Sequence, residues 1–234
     1  MLIIPQSYSN MNTISHSMFK GVIFDSDGVL VDSMSYHAKA WVKVFEDEGI
    51  DVSEEEVYEI EGSNHKGVID IFFGKAGKEA DDSIYEELLQ KKRKLFMEIN
   101  EAEAFDNMRE CLELLHGRYK LAVASGADRK IVSSLMEKFY PDIFDVVISG
   151  EDVSNGKPDP EPYLKAVDKL GLKRDECLVV ENAPLGIKSA KNAGLYCVAV
   201  ATYLEAEKMS EADRVFGDHS GLTDYLKELA LAKE

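Results

Sequence analysis

Two aspartates, Asp25 and Asp27, stand two residues apart at the end of a short apolar run, and Gly28 follows them. Carboxylates that close repel one another and make poor core residues; a cation or a phosphoryl group between them removes the conflict. Taken alone, such a pair reads equally well as a polar turn. Three more positions carry matching chemistry. Ser125-Gly126-Ala127 places a small hydroxyl and backbone N–H groups ahead of a helical stretch, a setting that suits phosphate oxygens. Lys157 is confined between Gly156 and Pro158, a constrained place for what is usually a mobile surface charge. Glu181-Asn182 adds a carboxylate and an amide oxygen. Oxygen-only ligands point to Mg2+, a hard cation held by carboxylates and substrate phosphates. Lys157 would offset the remaining negative charge and bind the phosphate.

Most of these groups follow an apolar run. The runs end at Phe24, near Ser125, around Val147, around Val179 and around Val198, and amphipathic helical stretches at 128–140, 161–171 and 183–194 separate them. Strands too apolar to face water on either side, alternating with helices, predict an α/β fold: a Rossmann-like parallel sheet covered on both faces. Ligands in such sheets bind beyond the carboxyl ends of the strands, where the groups above fall. Between the first and second runs the chain breaks the alternation. It offers only helix candidates there, with Ala40, Trp41, Val44 and Phe45 at helical spacing. A crossover needs far fewer residues. The expectation is an inserted α-helical domain at 33–100, with a discontinuous core domain at 18–32 and 101–234.

The chain has 234 residues and a formal net charge of −17, with a pI near 4.7. That balance argues against nucleic acid or an anionic membrane, which are bound mainly through Lys and Arg. No apolar run approaches a membrane span. Residues 1–17 lack a basic start and a long apolar segment, and read as a disordered tail rather than a signal peptide. Cys111, Cys177 and Cys197 form no CxxC pair, which suits a reducing cytoplasm. The expected partner is a small phosphorylated substrate, and the expected state a monomer or weak dimer. Gly150–Lys157 has the wrong glycine spacing for a nucleotide P-loop, and the five histidines lack zinc spacing. The basic run Lys91–Phe96, KKRKLF, reads as the solvated face of an acidic helix.

VIFDSDGVLVDS, VASGA, GKPDPEPY and VVENAPLGIKSAKNAG resemble, in order and spacing, the four motifs of the haloacid dehalogenase-like phosphotransferases. The helical insertion after the first motif is similar to the cap of the β-phosphoglucomutase-like subfamily. The resemblance runs from about Phe19 to Phe216. It implies that Asp25 is the nucleophile, forming an aspartyl-phosphate, and that Asp27 is the general acid and then the base. It also implies that Ser125, Gly126, Ala127 and Lys157 hold the phosphoryl group, and that Asp25, the Asp27 backbone carbonyl, Glu181 and Asn182 bind Mg2+. Dehalogenation itself is disfavoured, because Asp27 and the Mg2+ ligands would have no purpose in it.

The chain departs from the family where most relatives carry Glu-Asp, since Glu181 is followed by Asn182. The amide removes one negative charge, and Glu61, in IEGSNHKG, is a candidate to restore it as a further metal ligand; it reads alternatively as an acidic helix end. The segment offers Glu61, Ser63, Asn64 and His65 where a mutase would place a cationic phosphate grip. An acid there favours hydrolysis of a small phosphorylated metabolite or of pyrophosphate, and the segment resembles that of some hydrolytic relatives, pyrophosphatase-like members included. The alternative is a β-phosphoglucomutase-type mutase. His37 and Trp41 match a mutase cap, and His37 could assist Asp27 or simply pack at the hinge. A binding protein that has lost catalysis is disfavoured by the intact Asp25 and Asp27.

Overall fold

The computed structural model describes residues 18–232. The tail expected at 1–17 lies outside them. Six parallel strands form one sheet in the order β3-β2-β1-β4-β5-β6. These are β1 (Gly21–Phe24), β2 (Lys120–Ala124), β3 (Val146–Ile148), β4 (Cys177–Glu181), β5 (Tyr196–Val200) and β6 (Arg214–Phe216). The sequence reading found the first five. β6 escapes it because it is three residues long, sits at the sheet edge and begins with an exposed arginine.

Alternate residues of each central strand enter opposite apolar clusters, as the pleat requires. Val22, Phe24, Leu121, Val123, Leu178 and Val180 face one cluster. It is closed by α5 (Met108–Leu115), α6 (Arg129–Phe139) and α9 (His219–Leu231). Ile23, Ala122, Ala124, Val179, Cys197 and Ala199 face the other, closed by α7 (Glu161–Leu170) and α8 (Pro184–Asn192). The three cysteines are free and buried.

Between β1 and α5 the chain forms four helices: α1 (Met34–Asp47), α2 (Glu54–Glu59), α3 (His65–Lys75) and α4 (Asp82–Ile99). They have an apolar cluster of their own, built on Trp41, Phe45, Ile69, Phe72 and Leu88. Local signals start them: Ser53 and Glu56 form a capping box for α2, and Asn64 Oδ1 accepts from Gly67 N at 2.9 Å to cap α3. Two connections join this helical segment to the sheet, and they run side by side. Asp32 N donates to Glu103 O at 2.9 Å, and Val31 bridges Ala104. No helix among the described residues is long and apolar enough to cross a membrane.

Candidate active site

Strand register gathers the site. Phe24 of β1 pairs with Val123 of β2 on one side and Val180 of β4 on the other. The residues that follow therefore emerge together at the carboxyl edge: Asp25 centrally, Ser125 one residue beyond β2, and Glu181 at the end of β4. Asp25 N donates to Val180 O at 2.9 Å, which fixes where the first carboxylate leaves the sheet. The chain then turns sharply at Gly28, whose φ of +85° is strained for any other residue. A Cβ there would also lie 2.2 Å from Asn182 Nδ2.

Lys157 is buried and spans two acids, with Nζ 2.5 Å from Asp25 Oδ1 and 2.6 Å from Glu181 Oε1. Glu181 is saturated: Oε1 also accepts from Tyr163 Oη at 2.6 Å, while Oε2 accepts from Asn182 N at 2.8 Å and Ala183 N at 3.1 Å. A carboxylate offers about four lone-pair sites, so none is left for a cation. Glu181, expected from sequence as a metal ligand, anchors Lys157 in this structure. Burial works against the Lys157 charge, but the two carboxylates outweigh it and hold the ammonium well above its ordinary pKa. Helix α8 crosses so close to Glu181 that a Cβ on Gly186 would lie 1.7 Å from Oε1. Gly186→Ala is therefore expected to displace Glu181 and destabilise the fold by about 1–3 kcal/mol, the cost of overpacking. A denaturation midpoint equal to the parent's would contradict this contact.

Asp27 sits in a separate network. Ser33 Oγ donates to its Oδ1 at 2.5 Å and Ser125 Oγ to its Oδ2 at 3.2 Å. His37 Nε2 lies 3.0 Å from Oδ1, at ion-pair distance though not aimed as a hydrogen bond. Behind His37, Lys92 Nζ is 2.6 Å from Nδ1. An ammonium can only donate, so Nδ1 accepts and the imidazole proton is assigned to Nε2, on the Asp27 side. Burial would raise the Asp27 carboxyl, but His37 at its Oδ1, the Ser33 hydroxyl and the Lys92 charge together hold it below the usual range. Burial lowers His37, and the Lys92 charge lowers it further. Lys92 itself is pushed down by burial to about 8.

Lys92 overturns the reading of KKRKLF as a solvated face. Lys92 is only 4% exposed and shares the buried stripe of α4 with Leu88, Leu89 and Phe96. Its neighbour Arg93 pairs with Asp128, the N-cap of α6, and lies 3.3 Å from Glu151. The missed signal is periodicity: position 92 falls four residues after Leu88 and four before Phe96, which outweighs the basic composition around it.

Glu61, in the turn after α2, is buried and accepts from Asn182 Nδ2 at 3.0 Å. Its Oε2 and Asn182 Oδ1 are buried oxygens with no partner. Burial and the Asp25 charge push the Glu61 carboxyl well above its ordinary pKa. Asp25 is pushed up to about 8 by burial, opposed by Lys157 and reinforced by Glu181 and Asp27. Ala127 N donates to Ser125 Oγ at 3.0 Å, so this amide is already engaged. Gly126 lies under the backbone carbonyls of Gly62 and Ser63. Asp25, Asp27, Glu61, Gly126 and Ala127 line a cavity of about 60 Å3, roofed by apolar side chains including Met34, Trp41 and Leu89; His65, not singled out for a role from sequence, also lines it.

Residues 22–200 match the family model of the haloacid dehalogenase-like hydrolases. The chain belongs to this family. It is 30% identical over 207 residues to the validoxylamine A 7'-phosphate phosphatase of Streptomyces hygroscopicus subsp. limoneus, covering 86% of this chain and 94% of that protein. It is 27% identical over 211 residues to the beta-phosphoglucomutase of Bacillus subtilis, covering 87% and 92%. Among solved structures, a candidate beta-phosphoglucomutase from Bacteroides vulgatus superposes with a TM-score of 0.85 at 32% identity, covering 92% of this chain and 90% of that one.

Haloacid dehalogenase-like enzymes are generally Mg2+-dependent. No three His, Cys, Asp or Glu side chains converge as a ready metal cage among the described residues. The donor set nevertheless fits a hard cation once an amide is admitted. Two buried, partnerless oxygens, on Glu61 and Asn182, accompany Asp25 and Asp27, and the Asp25 and Glu61 carboxyls are raised by burial and by neighbouring negative charge. A divalent cation would relieve both conditions.

Proposed function

We propose that the chain is a Mg2+-dependent phosphohydrolase that acts on a small phosphorylated metabolite or pyrophosphate through an aspartyl-phosphate. Residues 33–100 form its cap domain, and residues 18–32 and 101–234 its core. The observation that carries this reading is the contrast between two buried carboxylates two residues apart. Asp25 Oδ1 is held by Lys157, while Asp27 is held by Ser33, Ser125 and His37. One is oriented for attack and the other for proton transfer.

Asp25 Oδ2 attacks phosphorus; the bond to the leaving oxygen breaks, and that oxygen takes a proton from Asp27. Asp27 then accepts a proton from water as the water oxygen attacks the same phosphorus, which releases phosphate and regenerates the Asp25 carboxylate. The arriving phosphate, a like charge, raises Asp27 towards the protonated form needed for the first step. Lys157 stays protonated between Asp25 and Glu181 and offsets charge on the transferring oxygens. Asp25, the Asp27 carbonyl, Asn182 and Glu61 would hold Mg2+, which supplies charge neutralisation at the phosphoryl oxygens. Three buried thiols, unpaired, suit a reducing compartment such as the cytoplasm.

Hydrolysis is favoured over mutation of a sugar phosphate by Glu61. A second phosphate held by the cap would meet this carboxylate together with Asp25, Asp27 and Asp128 around the same cavity. The test is a Mg2+-dependent phosphate-release screen over pyrophosphate, phosphoglycolate, hexose phosphates and nucleotides, run beside a β-glucose-1-phosphate isomerisation assay. Release from at least one compound is expected; rapid isomerisation with negligible release would overturn the reading. Glu61→Gln is expected to raise the Mg2+ concentration for half-maximal activity roughly tenfold, as loss of an orienting group does at other metal sites. An unchanged Mg2+ curve would remove Glu61 from the site.

A further inference from the structure

The cap's apolar cluster includes one side chain from the core domain among the described residues, Tyr203, in the loop after β5. Its ring stacks on Tyr58 of α2, with centroids 5.5 Å apart and planes 10° from parallel. Its hydroxyl donates to Asp32 Oδ1 at 2.6 Å, beside the paired connections between the two domains. Its ring edge also lies over Gly28, where an added Cβ would sit 2.9 Å from Tyr203 Cε2. The adjacent Thr202 Oγ1 donates to Gly28 O at 2.7 Å. One short loop thus touches the cap, the hinge and the turn that follows Asp27.

Tyr58 is three residues from Glu61, so the stack fixes the end of α2 that delivers Glu61 to Asn182. Two other cap–core ties have less leverage. Lys208–Glu59, at 2.8 Å, is solvent-exposed and worth little. Arg93–Asp128 lies on another side, at the start of α6. We propose that Tyr203 is a positioning residue whose ring, held by Asp32, clasps Tyr58 when the cap is closed and so sets Glu61 against Asn182. Its effect on turnover rests on the phosphohydrolase reading; its effect on cap position does not.

The chain carries one tryptophan, Trp41. It belongs to the cap, lines the cavity between Asp25 and Glu61 and is 6% exposed. Its fluorescence quenching by acrylamide therefore reads cap opening without any substrate. Tyr203→Ala is expected to increase quenching and to lower kcat/KM about three- to tenfold, mainly through KM, in line with loss of an aromatic pair. Tyr203→Phe, which keeps the ring, should fall between the parent and Tyr203→Ala in both measurements. Tyr58→Ala should match Tyr203→Ala, and the double variant should be no worse than either single one. Far-UV circular dichroism checks folding; should an alanine variant not fold, Tyr203→Leu and Tyr58→Leu replace the pair with the same expected order. Quenching and kcat/KM of Tyr203→Ala within twofold of the parent, or additive effects in the double variant, would overturn the proposal. Absence of phosphate release by the parent would instead overturn the phosphohydrolase reading and leave the quenching result to judge the clasp.

Discussion

Asp25→Asn is expected to lower Mg2+-dependent phosphate release by about 10^4-fold or more, the scale seen when a covalent nucleophile is removed. Its amide cannot attack phosphorus, yet it keeps the shape of the carboxyl and can still accept from Lys157. The fold should survive. In the metal-free protein, burial, Glu181 and Asp27 all work against a charge on Asp25, and only Lys157 favours it. The sign of the pH effect follows. A carboxyl raised from 3.8 to about 8 binds more protons folded than unfolded between those values. Its stability contribution is therefore full at low pH and is lost as pH rises towards 8. With a chelator present, Asp25→Asn should reduce that loss of stability across pH 4–8. Full turnover in this variant would falsify the nucleophile assignment.

Lys157→Met is expected to damage stability as well as turnover. Lys157 is the ammonium between Asp25 and Glu181, and both carboxylates are buried. Removing one partner of a buried ion pair leaves an uncompensated charge, at a cost of about 3–5 kcal/mol. Here two acids lose the same partner, although Glu181 keeps Tyr163 and two backbone N–H groups. Chemical denaturation of Lys157→Met checks the magnitude. Combining it with Glu181→Gln should cost less than the sum of the two single changes, because the second relieves the charge that the first exposes. A loss below 1 kcal/mol, or strict additivity, would contradict the coupling drawn from the geometry.

The central sheet and the gathering of Asp25, Asp27, Ser125, Lys157 and Glu181 were legible in the sequence because parallel strands are apolar on both faces and release polar residues only at their ends. Each of these residues lies at or beyond a strand end, and no side-chain detail was needed to group them. Glu181 shows where that reasoning stops. Position placed it at the edge of the site, but its occupation by Lys157, Tyr163 and two backbone amides depends on lone pairs, which spacing does not express. Lys92 was hidden for another reason. Four basic residues in succession suggest solvent, while helical period buries one of them beside His37. Tyr203 was beyond reach altogether, since a loop residue meets Tyr58 and Asp32 only through the fold.

The net charge of −17 also takes on a local meaning. Asp25, Asp27, Glu61 and Glu181 are buried around one site, and among the described residues Lys157 is the cation that bridges two of them. An anion-binding site in an acidic protein thus depends on that lysine and on the cation for which Glu61 and Asn182 hold open oxygens. The central claim is that the phosphoryl group passes through Asp25, and trapping tests it most directly. Enzyme turning over p-nitrophenyl phosphate with Mg2+ is quenched in acid, reduced with borohydride and digested for mass spectrometry. The account predicts homoserine at position 25, formed by reduction of an aspartyl-phosphate, and none without substrate. Unmodified aspartate at position 25 during sustained phosphate release would contradict it.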